Sequence, residues 1–245
     1  TVPNGYIENI RGVSVSPPLA VLDGLSAVVI SDVKSVGAPV QIYTAAIAPL
    51  AHPALPVISG LGATIGGIAY DSAENLYVTS TSANRIYKFD RFGTPIAQWG
   101  SAGTGNAQFA GPAGIAIDAN DTLFVVDRGN HRVQKFTSAG AYAGQFGSFG
   151  SGNGLFNTPV GIAVDNAGQV YVTEQGNHRV QKLDSVGNFS RKWGSLGSAN
   201  GQFNAPSGIA VDNALGAVFV AEQGGNRIQR FTLYGDFAQV FGEST

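Results

Sequence analysis

The sequence predicts an all-β fold, a β-propeller of four-stranded antiparallel blades, and three observations carry that prediction. The stretch 156–194, FNTPVGIAVDNAGQVYVTEQGNHRVQKLDSVGNFSRKWG, recurs upstream at 109–147 and downstream at 203–242, with a looser copy at 65–100. The glycines that close the copies, Gly100, Gly147, Gly194 and Gly242, stand 47, 47 and 48 residues apart, a period that belongs to repeat architectures. Each copy divides into four short β-rich runs separated by turn residues, here GIAVD (161–165), VYVTE (170–174), HRVQKL (178–183) and FSRKWG (189–194). Four-stranded units of roughly 40–45 residues set radially make a propeller.

The elements follow in order. The first run pairs Ile and Val with a central Ala, small enough for the narrow inner end of a wedge. The DNAG turn after it supplies Asn and Gly for positive φ. The second run is almost wholly apolar, as a strand buried on both faces requires. Residues 1–12 end in GYIENIRG, which matches the last run of a repeat (GDFAQVFG at 235–242) and predicts an orphan leading strand. Residues 13–60 read as a degenerate blade, with PLAVLD (18–23), AVVISD (27–32), VQIYT (40–44) and PVISG (56–60) in the four strand places. The chain therefore reads as one propeller over 1–245: leading strand 1–12, degenerate blade 13–60, and clear blades 61–100, 101–147, 148–194 and 195–242. Five visible blades plus a leading strand fit a five- or six-bladed ring.

GNHRVQKF at 129–136 and GNHRVQKL at 176–183, with the GIAVD run and the glycine-rich linkers 100–109, 147–156 and 194–203, resemble the NHL-repeat motif. The resemblance covers 65–242 well and 13–60 poorly. It implies a β-propeller, usually of six blades, and the visible five depart from that number.

Composition narrows the function classes. The 245 residues carry a formal net charge of −2 and only 12% charged residues, without the basic footprint a non-specific nucleic-acid binder needs. No apolar run approaches the ~18 residues of a membrane span. There is no Cys, so thiol catalysis, disulfides and iron–sulfur ligation are excluded, and no cofactor motif is present. The joint absence of Cys and Met suits an exported, oxidising setting, and a first residue other than Met predicts the removal of a leader or a preceding segment. The sequons Asn120-Asp121-Thr122 and Asn188-Phe189-Ser190 offer glycan acceptors in such a setting.

The copies serve as controls for one another. An acid stands five residues before an Arg in three of them: Asp127 with Arg132, Glu174 with Arg179, and Glu222 with Arg227; Ser80 precedes Arg85 in the fourth. The acid closes the second strand and the Arg opens the third, so they are expected to meet across a tight loop as a structural clasp repeated in each blade, with Arg85 its arginine in the fourth copy. His131 and His178 occupy a place held by Asn84 and Asn226 elsewhere, which calls for a hydrogen-bonding side chain and not a metal ligand. The remaining His52 lies in the irregular segment AHPALP. Asp71, Asp118, Asp165 and Asp212 leave the first strand where Asx-type turns need them, although a ring of them could hold a channel cation. Gly67, Gly114, Gly161 and Gly208, at the start of the first strand, offer a cation only backbone atoms. Phe109, Phe156 and Phe203 are expected as linker anchors.

Alternating loops fall on opposite faces. The loop after the second strand and the interblade linker therefore share one face, which collects Asp127, Arg128, Asn130, His131, Glu174, Gln175, Asn177, His178, Gln223 and Asn226 as the candidate binding surface. Tyr43, His52 and Asp32 are further candidates in the degenerate blade. With no residual catalytic set, the expected function is a secreted or cell-surface, non-enzymatic module that binds a protein partner, serves as a scaffold or assembles with itself as a coat or filament-associated protein. The alternative is a metal-dependent propeller lyase or lactonase-type hydrolase with a cation in the channel.

Overall fold

The structure is a computed structural model that describes residues 10–15, 26–32, 40–45, 61–62 and 64–242. Four complete blades are each built of four antiparallel strands in sequence order from the inside outward. Blade 1 comprises Ile65–Tyr70, Leu76–Ser80, Arg85–Phe89 and Pro95–Trp99. Blade 2 comprises Pro112–Ile117, Leu123–Asp127, Arg132–Phe136 and Tyr142–Phe146. Blade 3 comprises Pro159–Val164, Val170–Glu174, Arg179–Leu183 and Phe189–Trp193. Blade 4 comprises Pro206–Asp212, Ala217–Glu222, Arg227–Thr232 and Phe237–Phe241. The all-β propeller class read from the repeat is the one observed.

The blade count differs from the five expected. Ahead of blade 1 stands a three-stranded sheet of Ile10–Val15, Ser26–Asp32 and Val40–Ala45. Its first strand pairs antiparallel with Ser26–Asp32 and lies against the inner strand of blade 1. Residues 10–12 therefore open a first strand, where the sequence reading ended an orphan fourth one. Gly12 resembles the closing glycine of a repeat, but the alternating Val13 and Val15 beyond it continue the β pattern. The expected strands at 18–23 and 56–60 lie outside the described residues, as does His52.

The second strands of blades 1, 2 and 3 are buried at every position. They are sandwiched between neighbouring blades, so the core consists of layers at the junctions. Between blades 1 and 2 the layer holds Tyr77, Ile86, Phe109, Ile115, Val125 and Phe136. Between blades 2 and 3 it holds Phe124, Val133, Phe156, Ile162 and Val172. Between blades 3 and 4 it holds Tyr171, Val180, Phe203, Val220 and Phe231. The linker residues Phe109, Phe156 and Phe203 are fully buried anchors in these layers.

Glycine at the start of the first strand is explained by crowding. A Cβ on Gly114 would stand 2.7 Å from Val160 O of the next inner strand, so only glycine lets these strands approach. Bulges interrupt the pairing there. In blades 1 and 3 a threonine stitches the bulge: Gly67 N donates to Thr79 Oγ1 at 2.7 Å, and Gly161 N to Thr173 Oγ1 at 2.8 Å. Each hydroxyl then donates onward to the next blade, to Ala113 O at 2.5 Å and to Ser207 O at 2.7 Å.

Blades alternate in kind. Blades 1 and 3 carry Tyr77 and Tyr171, Thr79 and Thr173, and Trp99 and Trp193. Blades 2 and 4 have Phe124 and Phe219, Val126 and Ala221, and Phe146 and Phe241 at the same places. Tyr77 and Trp99 meet edge to face at 6.2 Å, and Tyr171 and Trp193 at 6.3 Å. Two junction chemistries thus succeed one another, one hydrogen-bonded and one apolar.

Candidate functional site

Backbone bonds place the second loop of each blade beside the linker that precedes it. Gly129 N donates to Ala110 O at 2.8 Å, Gln175 N to Thr158 O at 3.0 Å, and Gln223 N to Ala205 O at 3.1 Å. The two groups of loops form one face, as the alternation of strand direction demands.

Beneath that face lies the clasp. Arg132 Nε reaches Asp127 Oδ2 at 2.8 Å, Arg179 Nε reaches Glu174 Oε1 at 2.5 Å, and Arg227 Nε reaches Glu222 Oε1 at 2.7 Å. All three carboxylates are buried. A buried charge persists only with a full set of partners, and each acid has one. Glu174 accepts from Asn177, from Gln181 Nε2 at 2.9 Å and from Asn157 N at 2.9 Å, besides Arg179. Arg179 spends its remaining donors on the linker carbonyls Ser151 O, Gly152 O and Leu155 O, at 2.6, 2.9 and 2.9 Å. Arg132 and Arg227 bind their own linkers in the same way. The clasp therefore shapes the glycine-rich linker as well as the loop. Arg85 is different: with Ser80 in place of the acid, its Nη1 donates to Gln98 Oε1 at 3.2 Å, and Ser80 Oγ caps Ala83 N at 3.1 Å.

His131 and His178 lie just before the third strands, where their expected place was on them. Both take left-handed backbone, φ 55° and 50°, as do Asn84 at 53° and Asn226 at 47°. His131 Nδ1 accepts from Thr158 N at 3.1 Å, and His178 Nδ1 from Ala205 N at 3.4 Å. Asn84 Oδ1 does the same for Gly111 N at 2.8 Å. One blade thereby holds the linker of the next, which explains why His and Asn interchange. Among the described residues, no three His, Asp or Glu side chains gather as a metal-binding group.

The four turn aspartates are engaged locally. Asp71 Oδ1 accepts from Ala73 N and Asn75 N at 3.0 and 2.8 Å, Asp118 Oδ1 from Asn120 N and Thr122 N at 2.9 and 2.8 Å, and Asp165 Oδ1 from Ala167 N and Gln169 N at 3.0 and 2.8 Å. Asp212 Oδ1 accepts from Leu215 N at 2.9 Å. Burial pushes the Asp71 carboxyl up, but hydrogen bonds from Asn75 and Tyr77 and the Lys88 charge outweigh it, and the group lies below the usual carboxylate range. On this opposite face Lys88, Lys135 and Lys182 each reach a turn carbonyl of the following blade, at 2.9, 3.0 and 3.2 Å. Burial pulls the Lys182 ammonium below its usual range, against the opposing pull of Asp165.

Three residues of the expected binding surface are joined in a row that the sequence did not show as connected. Arg128 Nη2 donates to Gln175 Oε1 at 3.0 Å, and Gln175 Nε2 donates to Gln223 Oε1 at 3.1 Å, so three blades are tied by exposed or half-exposed polar groups. Their common place at the head of the second loop was the available signal. Two apolar linker residues join the same face: Phe149 is 68% exposed and Leu196 64%. His131 packs on the Phe149 ring at 4.9 Å between centroids. Of the sequon residues, Asn120 is exposed in its turn, whereas Asn188 Nδ2 donates to Asp184 Oδ2 at 2.7 Å. Asp32 and Tyr43 lie on the second and third strands of the three-stranded sheet.

Fold and site together define a β-propeller whose blades are locked to one another through loop and linker. Residues 109–136 and 156–183 match the family model of the NHL repeat, so the chain carries NHL repeats in an all-β propeller. No curated protein sequence matches the chain. Among solved structures it is similar to a streptogramin B lyase, at 19% identity over 96% of this chain and 69% of that one, with a TM-score of 0.65. It is also similar to virginiamycin B lyase from Staphylococcus aureus, at 18% identity over 95% and 69% of the two chains, with a TM-score of 0.61. A chain of the nidogen/laminin complex matches at 18% identity over 95% and 79%, with a TM-score of 0.65. At these identities the likeness is one of fold.

Proposed function

We propose that this protein is a non-enzymatic, secreted or cell-surface binding module that engages a protein partner, or a further copy of itself, through the loop face. The single observation that carries the reading is the division of labour on that face. The repeated acids, arginines and histidines are consumed in holding loops and linkers together. What that face leaves to solvent is the row Arg128, Gln175 and Gln223 and, in the linkers of the same face, the apolar Phe149 and Leu196. An apolar anchor bordered by hydrogen-bonding side chains is the usual make-up of a protein-binding surface. The low charge of the chain argues against nucleic acid as the partner. A similar propeller in the nidogen/laminin complex supports the reading by analogy of fold alone.

A second reading, a propeller lyase or lactonase-type hydrolase with a channel cation, draws on the likeness to the streptogramin B lyase fold. Metal analysis and native mass on one undialysed sample separate the two. The binding reading expects no stoichiometric divalent ion. It further expects that a photocrosslinking residue at position 149 or 196 captures a partner or a second copy, while one at Phe92 on the other face does not. About one ion per chain, with a hydrolytic or lyase activity lost on chelation, would replace it with the enzyme.

A further inference from the structure

Two Asn-Gly pairs lie among the described residues, Asn153-Gly154 and Asn200-Gly201, one in each of the last two linkers. Both asparagines are exposed. Each pair forms the corner of a turn closed by a backbone bond, Leu155 N to Gly152 O at 3.4 Å and Gln202 N to Ala199 O at 3.0 Å. Gly154 and Gly201 take φ 73° and 79°, as glycine does at the third place of a type II turn.

An asparagine followed by glycine is set up for an intramolecular reaction. The glycine nitrogen attacks the asparagine side-chain carbonyl carbon, closing a five-membered imide. The amide nitrogen departs as ammonia, taking up the proton that the attacking N–H releases. Water then opens the imide at one of its two carbonyls, leaving aspartate or isoaspartate. No oxidant or cofactor enters. Glycine favours the step because no Cβ shields the attacking nitrogen and its backbone rotates freely.

In this fold the attacking nitrogen is held. Gly154 N donates to Gln181 Oε1 at 2.9 Å, and Gly201 N to Gln229 Oε1 at 2.8 Å. Both glutamines are wholly buried. Each is fixed in turn by its own amide group: Gln181 Nε2 donates to Leu155 O at 2.7 Å and Glu174 Oε1 at 2.9 Å, and Gln229 Nε2 to Gln202 O and Glu222 Oε1, both at 2.7 Å. The same carboxylate that anchors the arginine clasp thus anchors the glutamine that restrains the glycine. The nitrogen must leave this bond, and the turn must open, before the ring can close.

We propose that Asn153 and Asn200 are sites of spontaneous deamidation, and that Gln181 and Gln229 set its rate by holding the attacking nitrogens. The first linker supplies an internal control. There Ala107 N makes the equivalent bond to Gln134 Oε1 at 2.9 Å, but the pair is Asn106-Ala107, and its methyl group obstructs the attack. The reaction would place a carboxylate on the linker whose carbonyls Arg179 or Arg227 grips. In the isoaspartate form it would also lengthen the backbone by one methylene and pull Leu155 O or Gln202 O out of register with the clasp. It would therefore act as a slow chemical timer on the loop face.

The test ages the purified protein at physiological temperature and pH and maps its peptides by mass, with isoaspartate resolved chromatographically. Gln181→Ala is expected to speed deamidation at Asn153 about five-fold, the factor for one net hydrogen bond, and to leave Asn200 unchanged. Gln229→Ala is expected to do the reverse. Unchanged rates at the asparagine next to each substitution, or equal acceleration of both by either, would overturn the proposal. Should neither variant fold, the unsubstituted chain is compared in native buffer and in urea. Release by urea is expected at Asn153 and Asn200 and not at Asn106, and equal native and unfolded rates would be fatal to the idea.

Discussion

Blades 1 to 3 and blade 4 are built from nearly the same residues, yet they meet different surroundings. Ile86, Val133 and Val180 stand second in the third strand of the first three blades and are fully buried. Ile228, in the same place on blade 4, is 43% exposed. Phe219 is partly exposed, whereas Tyr77, Phe124 and Tyr171 are at most 1% exposed. Gly67, Gly114 and Gly161 are pressed against the next inner strand, but a Cβ on Gly208 would meet only Ala221 of its own blade. Among the described residues, no fifth blade lies against blade 4. The lesson is that a blade holds its own shape through its ladder and clasp, while its core is completed by a neighbour.

That distinction can be broken experimentally, and the largest effect should come from the clasp. Glu174→Ala leaves Arg179 buried without its partner and is expected to cost about 3–5 kcal/mol in urea or thermal unfolding. Glu222→Ala in blade 4 should cost a similar amount, because the clasp lies within one blade and its own linker. A much smaller loss for Glu222→Ala would show that the clasp depends on the neighbour after all.

Junction residues should separate the two regions cleanly. Ile86→Ala is expected to cost about 2–5 kcal/mol through lost burial and an unfilled cavity. Ile228→Ala is expected to change stability by less than about 0.5 kcal/mol, as an exposed substitution does. Equal losses at both positions would mean that the face of blade 4 is covered in solution.

Hydroxyl contacts sharpen the comparison within the covered junctions. Tyr171→Phe converts blade 3 toward the apolar kind and removes a hydroxyl that lies 2.9 Å from Asp165 Oδ2. The expected loss is about 1 kcal/mol. Phe219→Tyr on blade 4, which faces no following blade among the described residues, should be close to neutral.

Acid titration tests the turn aspartates. The folded Asp71 carboxyl lies below its unfolded value of about 3.9. Its contribution is therefore present above that unfolded value and is lost as pH falls through the folded one. Unfolding measured from pH 6 downward should show a decline that Asp71→Asn reduces. An identical acid limb in the variant would remove Asp71 from the account. The smallest effect is expected for His131→Asn, within about 0.5 kcal/mol. Asn84 already performs the same task for Gly111 N. His131→Ala should cost more, since it leaves Thr158 N unheld.

Much of the site was legible because the repeat repeats its errors and its rules alike. Asp127, Glu174 and Glu222 at one offset from Arg132, Arg179 and Arg227 pointed to a clasp before any coordinate. Arg85 was expected in the same clasp, but with Ser80 in place of the acid it turns to Gln98 instead. The exchange of His131 and His178 with Asn84 and Asn226 pointed to a hydrogen bond, and the structure supplies its partner in the following linker. The row Arg128, Gln175 and Gln223 was not legible as a unit, because nothing in the spacing shows that side chains 47 and 48 residues apart touch. Nor was the fate of residues 10–12, where a closing-type glycine proved to lie inside a first strand.

The sequence by itself determined the class of fold, the four-strand grammar of each blade and the pairs within a blade, because these rest on local spacing and turn chemistry. Only the tertiary structure decided which faces are covered, how the three-stranded sheet stands against blade 1, and what the alternating tyrosines and phenylalanines touch. Those are contacts between units, and they depend on the distance and tilt at which one twisted sheet meets the next.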